Sequence, residues 1–274
     1  MNRLLASSIA AALLVSASTS VMADDWSGFY AGAYYGSVMD PDDNNDRILF
    51  DNNLDGSYND TVRTVAGADA FSPGFCDGAA NGSRPDAGCD SNSGGAEYGF
   101  RAGYDWQSGN FVYGILAEYG YSDARDAVAA FSTTPAYYTM LRKVDDTLAL
   151  RARAGFTFGD DNNLVYATGG YARASVENFF ETSNRANTFV TSGDSDADGY
   201  QAGLGYERKF GDQFSVGLEY LYTQLDDNEA RVRAQGPVAA TNPFILVNSS
   251  GTDFRRSDDD LDLDSLRLTV SYHF

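Results

Sequence analysis

The chain has 274 residues, with 39 acids against 19 bases and a formal net charge of −20. That balance excludes a nucleic-acid binder, which needs a basic footprint. One His and two Cys exclude most zinc and iron sites built from those ligands. The 17 Phe and 18 Tyr far outnumber the four Met and two Trp, which favours strands over helices, and the length fits a single all-β barrel.

The N-terminus reads as an export signal. Met1-Asn2-Arg3 is a short positive start, Leu4 to Val15 is apolar and uncharged, and Val21-Met22-Ala23 carries small residues where a signal peptidase reads. The apolar run is too short to anchor a helix across a bilayer. The expected organisation is a signal peptide over 1–23 and one barrel domain over 24–274.

From Trp26 onward one pattern recurs: alternation with period two, then a polar interruption. Strands are expected at 26–38, 95–107, 111–122, 147–158, 164–177, 198–209, 214–225 and 263–274. None of the eight contains Pro, as central strands require. Three connections are short: Gln107 to Asn110, Gly159 to Asn163, and Gly211 to Gln213. Four are long: 39–94, 123–146, 178–197 and 226–262. Each long connection follows an odd-numbered strand. In an antiparallel up-and-down barrel all short turns then share one end with the termini, and all long loops share the other. Bacterial outer-membrane barrels have this arrangement, with short periplasmic turns.

The last strand gives the clearest faces: Leu266, Leu268, Val270, Tyr272 and Phe274 against Ser265, Arg267, Thr269, Ser271 and His273. Strands two, three, four and seven repeat the pattern, while one, five and six are rich in Gly and Ala. Volume decides which face turns out. Eight strands enclose an interior only wide enough for side chains. Five or six apolar residues per strand, many aromatic, would overfill it. Turned outward, they form a lipid-facing band, with Phe29, Trp106, Phe111, Tyr121, Phe214 and Phe274 as interface aromatics. A closed barrel also satisfies every backbone hydrogen bond, as lipid demands.

"WSGFYAGAYYG" (Trp26 to Gly36), "YATGGYARASV" (Tyr166 to Val176) and "SLRLTVSYHF" (Ser265 to Phe274) resemble the opening, central and closing strands of the small alphaproteobacterial outer-membrane proteins. These are the porin-family or outer-membrane immunogenic proteins, similar in form to the transmembrane domain of OmpA. The resemblance covers nearly all of the mature chain. It implies an eight-stranded barrel in contact with outer-membrane lipid. It also implies a C-terminal signal (Leu268, Val270, Tyr272, Phe274) read by the outer-membrane insertion machinery.

The polar phase puts Glu97, Asp105, Glu118, Glu177, Glu207 and Glu219 inside with Arg101, Arg151, Arg153, Arg173, Lys209 and Arg267. The signs nearly match, so a plug of paired charges is expected, since buried charges persist only when paired. The rival is a gate of exchanging Arg–Glu partners in a narrow channel. Cys76 and Cys89 share the first long connection and should form a disulfide in an oxidising compartment. The acidic runs Asp40 to Asp46 and Ser257 to Asp264 do not match an EF-hand loop and read as solvated loop. His273 stands at the periplasmic end, so no Ser–His–acid group can form in the outer loops.

The expectation is therefore a non-enzymatic outer-membrane barrel with a structural or surface role. It has no cofactor, metal or nucleic-acid partner, and a monomer is favoured. Alternatives are a narrow solute channel and a surface receptor or adhesin. The four long connections hold 26 acids and 11 bases, so the net charge gathers in an acidic crown on the outer side.

Overall fold

Period-two alternation becomes eight long strands in the computed structural model, which describes residues 25–41, 46–193, 196–227, 230–258 and 260–274. They are β1 (Gly28–Val38), β2 (Gly95–Ser108), β3 (Phe111–Ser122), β4 (Ala136–Phe158), β5 (Asn163–Thr182), β6 (Asp196–Phe210), β7 (Phe214–Asp226) and β8 (Asp260–His273). Each pairs antiparallel with its neighbours in the chain, and β8 pairs with β1 to close the ring. No strand edge of the barrel faces lipid. The expected signal segment lies outside the described residues.

Side chains alternate across the wall. Phe100, Ile115, Leu150, Leu204, Leu218 and Leu268 stand outside, while Glu97, Glu118, Arg151 and Arg267 are buried inside. All six aromatics expected at the lipid interfaces are exposed outward. β1 starts two residues later than the sequence pattern placed it. Trp26 leaves the strand and turns under the barrel, fully buried, with its backbone N–H donating to Gln107 Oε1 at 2.8 Å and Nε1 to Asp161 O at 2.7 Å.

The largest departures are on the outer side. β4 begins at Ala136 rather than 147, β5 runs to Thr182 rather than 177, and β8 starts at Asp260 rather than 263. A bulge explains β4. Ala174 pairs with Thr147 but Val176 pairs with Val144, so β4 carries one extra residue there. Below it odd residues face in (Ala149, Arg151, Arg153); above it even ones do (Tyr138, Met140, Arg142, Val144). A phase change ends the visible alternation in the sequence without ending the strand. In β8, Asp260 and Asp262 point out while Leu261 and Leu263 point in. That part of the acidic run is thus a strand above the lipid band, not a free loop.

The long connections are not a solvated fringe. Strand Arg125–Ser132 pairs with the upper half of β4, and strand Gly74–Asp77 pairs with Arg125–Ser132. A second sheet has the order Thr188–Ser192, Arg231–Gln235, Thr252–Arg256, Ile48–Asp51. Between the sheets lies a core of Ile48, Phe50, Phe71, Val128, Tyr138, Met140, Phe244 and Phe254, with Phe180 and Phe189 against it. Ring centroids such as Phe50–Phe71 at 4.4 Å and Phe50–Phe254 at 5.1 Å mark close aromatic packing. Each such pair contributes about 0.5–1.5 kcal/mol beyond its buried area. Acidic segments that would otherwise repel one another are held by this apolar minority.

Candidate functional site

The lumen is filled in layers. At the periplasmic end Trp26, Val112, Leu164 and Tyr166 form an apolar floor. Lys209 lies over the Trp26 ring, 4.8 Å from its centroid, and donates to Asp25 O at 2.5 Å. His273 packs edge-on to Trp26 at 5.6 Å.

Above the floor is the charge layer. Arg153 on β4 spans the lumen: it holds Asp105 on β2 through two nitrogens, Nε at 2.9 Å, and Glu207 on β6 through Nη1 at 2.9 Å. Arg151 Nη2 donates to Glu118 at 2.5 Å and to Glu219 at 3.0 Å. Arg267 grips Glu97 with Nε and Nη2, both at 2.7 Å, and reaches Glu118 at 3.2 Å. Arg101 is held more loosely, 3.5 Å from Glu118 and 3.8 Å from Glu219, without a hydrogen bond from its guanidinium. These nine side chains are all buried. An unpaired charge at such a depth costs several kcal/mol, so the pairing is a condition of folding.

Three tyrosines on the lumen side were not legible as interior residues: Tyr30, Tyr34 and Tyr166. Each lies over a glycine of a neighbouring strand. A Cβ at Gly103 would strike Tyr30, one at Gly99 or Gly120 would strike Tyr34, and one at Gly205 would strike Tyr166. The lumen glycines thus make room for aromatic rings as well as for long charged chains. The rings in turn support the cations. Arg153 stands 4.5 Å from the Tyr30 centroid and 5.2 Å from that of Tyr166, and Arg267 stands 4.5 Å from that of Tyr34. Tyr166 also donates to Glu219 at 2.8 Å. The available signal was parity: Tyr30 and Tyr34 share their phase with Gly32 and Gly36, not with Phe29 and Tyr35.

Arg173 and Glu177 belong outside, contrary to the sequence reading. Both occupy outward positions of β5; the Arg173 side chain is 51% exposed, with Asp196 at 2.7 Å and Asp198 at 4.0 Å. Ala172, Ala174 and Val176 take the inward positions beside them. The error came from equating polar with inward. Near the outer rim the wall stands above the lipid band, so the alternation continues but the polarity of the two faces reverses, and polar residues face out.

That inversion builds an apolar collar above the charge layer, made of Val38, Val144, Ala172, Ala174, Val176, Leu225, Leu261 and Leu263 among others. Above the collar two arginines knot the outer connections together. Arg142 donates to Asp126 at 2.6 Å and to Asp260 O at 2.7 Å. Arg256 reaches Asp46 at 2.6 Å and Asp126 at 2.7 Å. Asp46 in turn accepts from the Ser257 hydroxyl at 2.7 Å and the Asp258 N–H at 3.0 Å. Three of the four long connections meet here.

Cys76 and Cys89 are joined by a disulfide, with Cα atoms 6.4 Å apart. His273 Nε2 lies 2.9 Å from Ser215 Oγ, and the same hydroxyl bonds Glu207. Glu207 approaches that same ring nitrogen, at 3.8 Å. A triad needs the acid on the other nitrogen to orient the base. Among the described residues no group of three or more His, Cys, Asp or Glu is placed to hold a metal ion. The C-terminal Leu268, Val270, Tyr272 and Phe274 line the outer face of β8.

Comparisons with known proteins agree with this architecture. The family described as outer membrane protein beta-barrel domain matches residues 7–274. The 31 kDa outer-membrane immunogenic protein of Brucella melitensis is 31% identical over 137 residues, 50% of this chain and 56% of that protein. The 22 kDa outer membrane protein of Rhizobium leguminosarum is 29% identical over 136 residues, 48% of this chain and 56% of that protein. The chain spans about half the length of the curated relatives it matches. The crystal structure of OprG from Pseudomonas aeruginosa superposes with a TM-score of 0.50 at 14% identity, covering 90% of this chain and 96% of that one, a likeness of fold. With a closed ring whose apolar side faces lipid and a family match over almost its whole length, the chain belongs to the outer-membrane β-barrel family and resides in the bacterial outer membrane.

Proposed function

We propose that this barrel is a closed structural element of the envelope that holds a folded lobe at the cell surface. It is neither a solute channel nor an enzyme. The carrying observation is the layered lumen. A water-filled path would wet the side chains that line it, yet the charge layer is buried and lies between an apolar floor and an apolar collar. An ion crossing the barrel would have to shed its water at both apolar layers, at a cost of several kcal/mol each time. Exchange of partners within the charge layer would leave both layers in place.

Ser215 is buried at the periplasmic end, and its geometry with His273 and Glu207 supports a packing role. The outward apolar residues of β8 are well placed to serve as the insertion signal, and the ring needs no second copy to close, which supports a monomer.

Planar-bilayer recording of the refolded protein tests this reading. The expected result is no stepwise current, and none in Glu118→Ala or Arg151→Ala. Reproducible single-channel steps in the unmodified protein would overturn it.

A further inference from the structure

At the tip of the outer lobe is a cavity of about 310 Å³ to which all four long connections contribute. Its floor is aromatic. Phe71, Tyr138 and Phe244 form a triangle with centroids 5.2, 5.7 and 6.0 Å apart. One wall is a chain of side-chain amides. Asn184 donates to Tyr138 Oη at 3.0 Å and to Asn187 Oδ1 at 3.1 Å, and Asn242 donates to the same Asn187 oxygen at 3.0 Å. The other wall is the turn containing Thr133 and Thr134, both exposed, whose hydroxyls make no hydrogen bond among the described residues.

Charge sets this cavity apart. The connections that build the lobe are strongly acidic, yet among the described residues no Asp or Glu lines the cavity, and Arg185 is the single charged residue there. A site for a cation would draw on the carboxylates abundant nearby. Here they are kept away.

We propose that this cavity is a binding site for one sugar ring, neutral or bearing a single carboxylate, as at the end of a glycan chain. The size is that of a small-ligand pocket, with an apolar floor and a few fixed polar groups. A pyranose offers its apolar C–H face to the apolar floor, where the three rings present only narrow surfaces because each is 5% exposed or less. It offers its hydroxyls to Asn242 and the threonines; Asn184 already donates both of its N–H groups. Asn184 and Asn242 are already oriented by hydrogen bonds to the same Asn187 oxygen, so little ordering is lost on binding. Arg185 at the mouth meets the carboxylate of an acidic sugar.

Saturation-transfer NMR on the full protein in phospholipid nanodiscs tests the proposal, with methyl glucoside, glucuronate, glucosamine and benzyl alcohol as probes. Methyl glucoside and glucuronate should receive saturation, and cationic glucosamine markedly less. Thr134→Trp, which fills the cavity from an exposed position, should weaken both signals about tenfold or more by removing the enclosed contact surface. Thr133→Trp serves as a second filling variant, and heat-modifiable gel migration shows that each is folded. Arg185→Glu should weaken glucuronate about threefold, the scale of one exposed ion pair, and leave methyl glucoside unchanged. Three results would overturn the proposal: no transfer to either sugar, transfer undiminished in both folded filling variants, or transfer to benzyl alcohol alone.

Discussion

Arg267 on β8 holds Glu97 on β2 through two parallel hydrogen bonds of 2.7 Å, although β1 lies between the two strands. Both residues are in register with Gly36 on that intervening strand, so the pair is a strut over Gly36 along the inner wall rather than a rung between neighbouring strands. Removing the cation alone leaves Glu97 buried without its bidentate partner, and breaking a buried pair in this way costs about 3–5 kcal/mol. Arg267→Ala should therefore lower the urea midpoint of refolded barrels far more than Glu97→Leu combined with Arg267→Met. Equal losses in the two variants would deny the strut.

Arg153 and Arg173 look alike in sequence, each in a Gly- and Ala-rich strand, yet one is buried between two tyrosines and the other stands outside. Arg173→Ala should change barrel stability by less than about 1 kcal/mol, as for an exposed ion pair. Arg153→Ala, which strands Asp105 and Glu207, should cost several times more. Paired urea titrations in lipid vesicles compare them directly.

Tyr34 packs over Gly99 and Gly120 of two adjacent strands. Gly120→Ala places a methyl group where the ring lies. Overpacking of this kind costs about 1–3 kcal/mol. Adding Tyr34→Phe to Gly120→Ala should recover part of that loss, because the phenol oxygen is among the atoms in conflict. A double-mutant cycle read by heat-modifiable migration checks the coupling.

The bridge joins Cys76, within strand Gly74–Asp77, to Cys89, 13 positions further along the chain. Closing a loop of that size constrains the unfolded chain by roughly 3 kcal/mol in the entropic model. That strand attaches to the lobe and not to the ring. Replacing both cysteines with Ala should accelerate protease cutting between Gly78 and Gly88 and leave barrel migration on gels intact. Loss of the folded barrel band would show that the lobe and ring do not fold separately.

Asp227 and Asp258 lie beside the arginine knot, outside the membrane-spanning wall. Burial holds both carboxyls above the usual carboxylate range, with the Arg142 guanidinium opposing it. A carboxyl raised in this way binds its proton more tightly in the folded lobe than in the unfolded chain. Its contribution is full below the ordinary value of about 4 and is lost as pH rises through the raised one. Asp227→Asn with Asp258→Asn should make the lobe more resistant to protease at neutral pH and flatten its pH dependence. Unchanged cleavage profiles would count against the knot as the mooring of the lobe.

The ring was legible from the chain because lipid imposes one rule on it: apolar out, polar in, every second residue. Leu150 to Phe158 and Leu266 to Phe274 follow that rule, and loop lengths alone then assign the ends. Above the lipid the rule lapses. Arg142 turns inward because Asp126 awaits it, Arg173 turns outward because water does, and the bulge near Asp145 shifts the phase of β4 between Arg142 and Arg151. No local pattern encodes those choices. They are set by partners more than a hundred residues away, such as Asp260 for Arg142 and Arg256 for Asp126. Composition and alternation determined a lipid-facing barrel with balanced charges inside. Only the tertiary structure decided that its acidic connections fold over an aromatic core into a lobe, because that core forms only when all four are brought together.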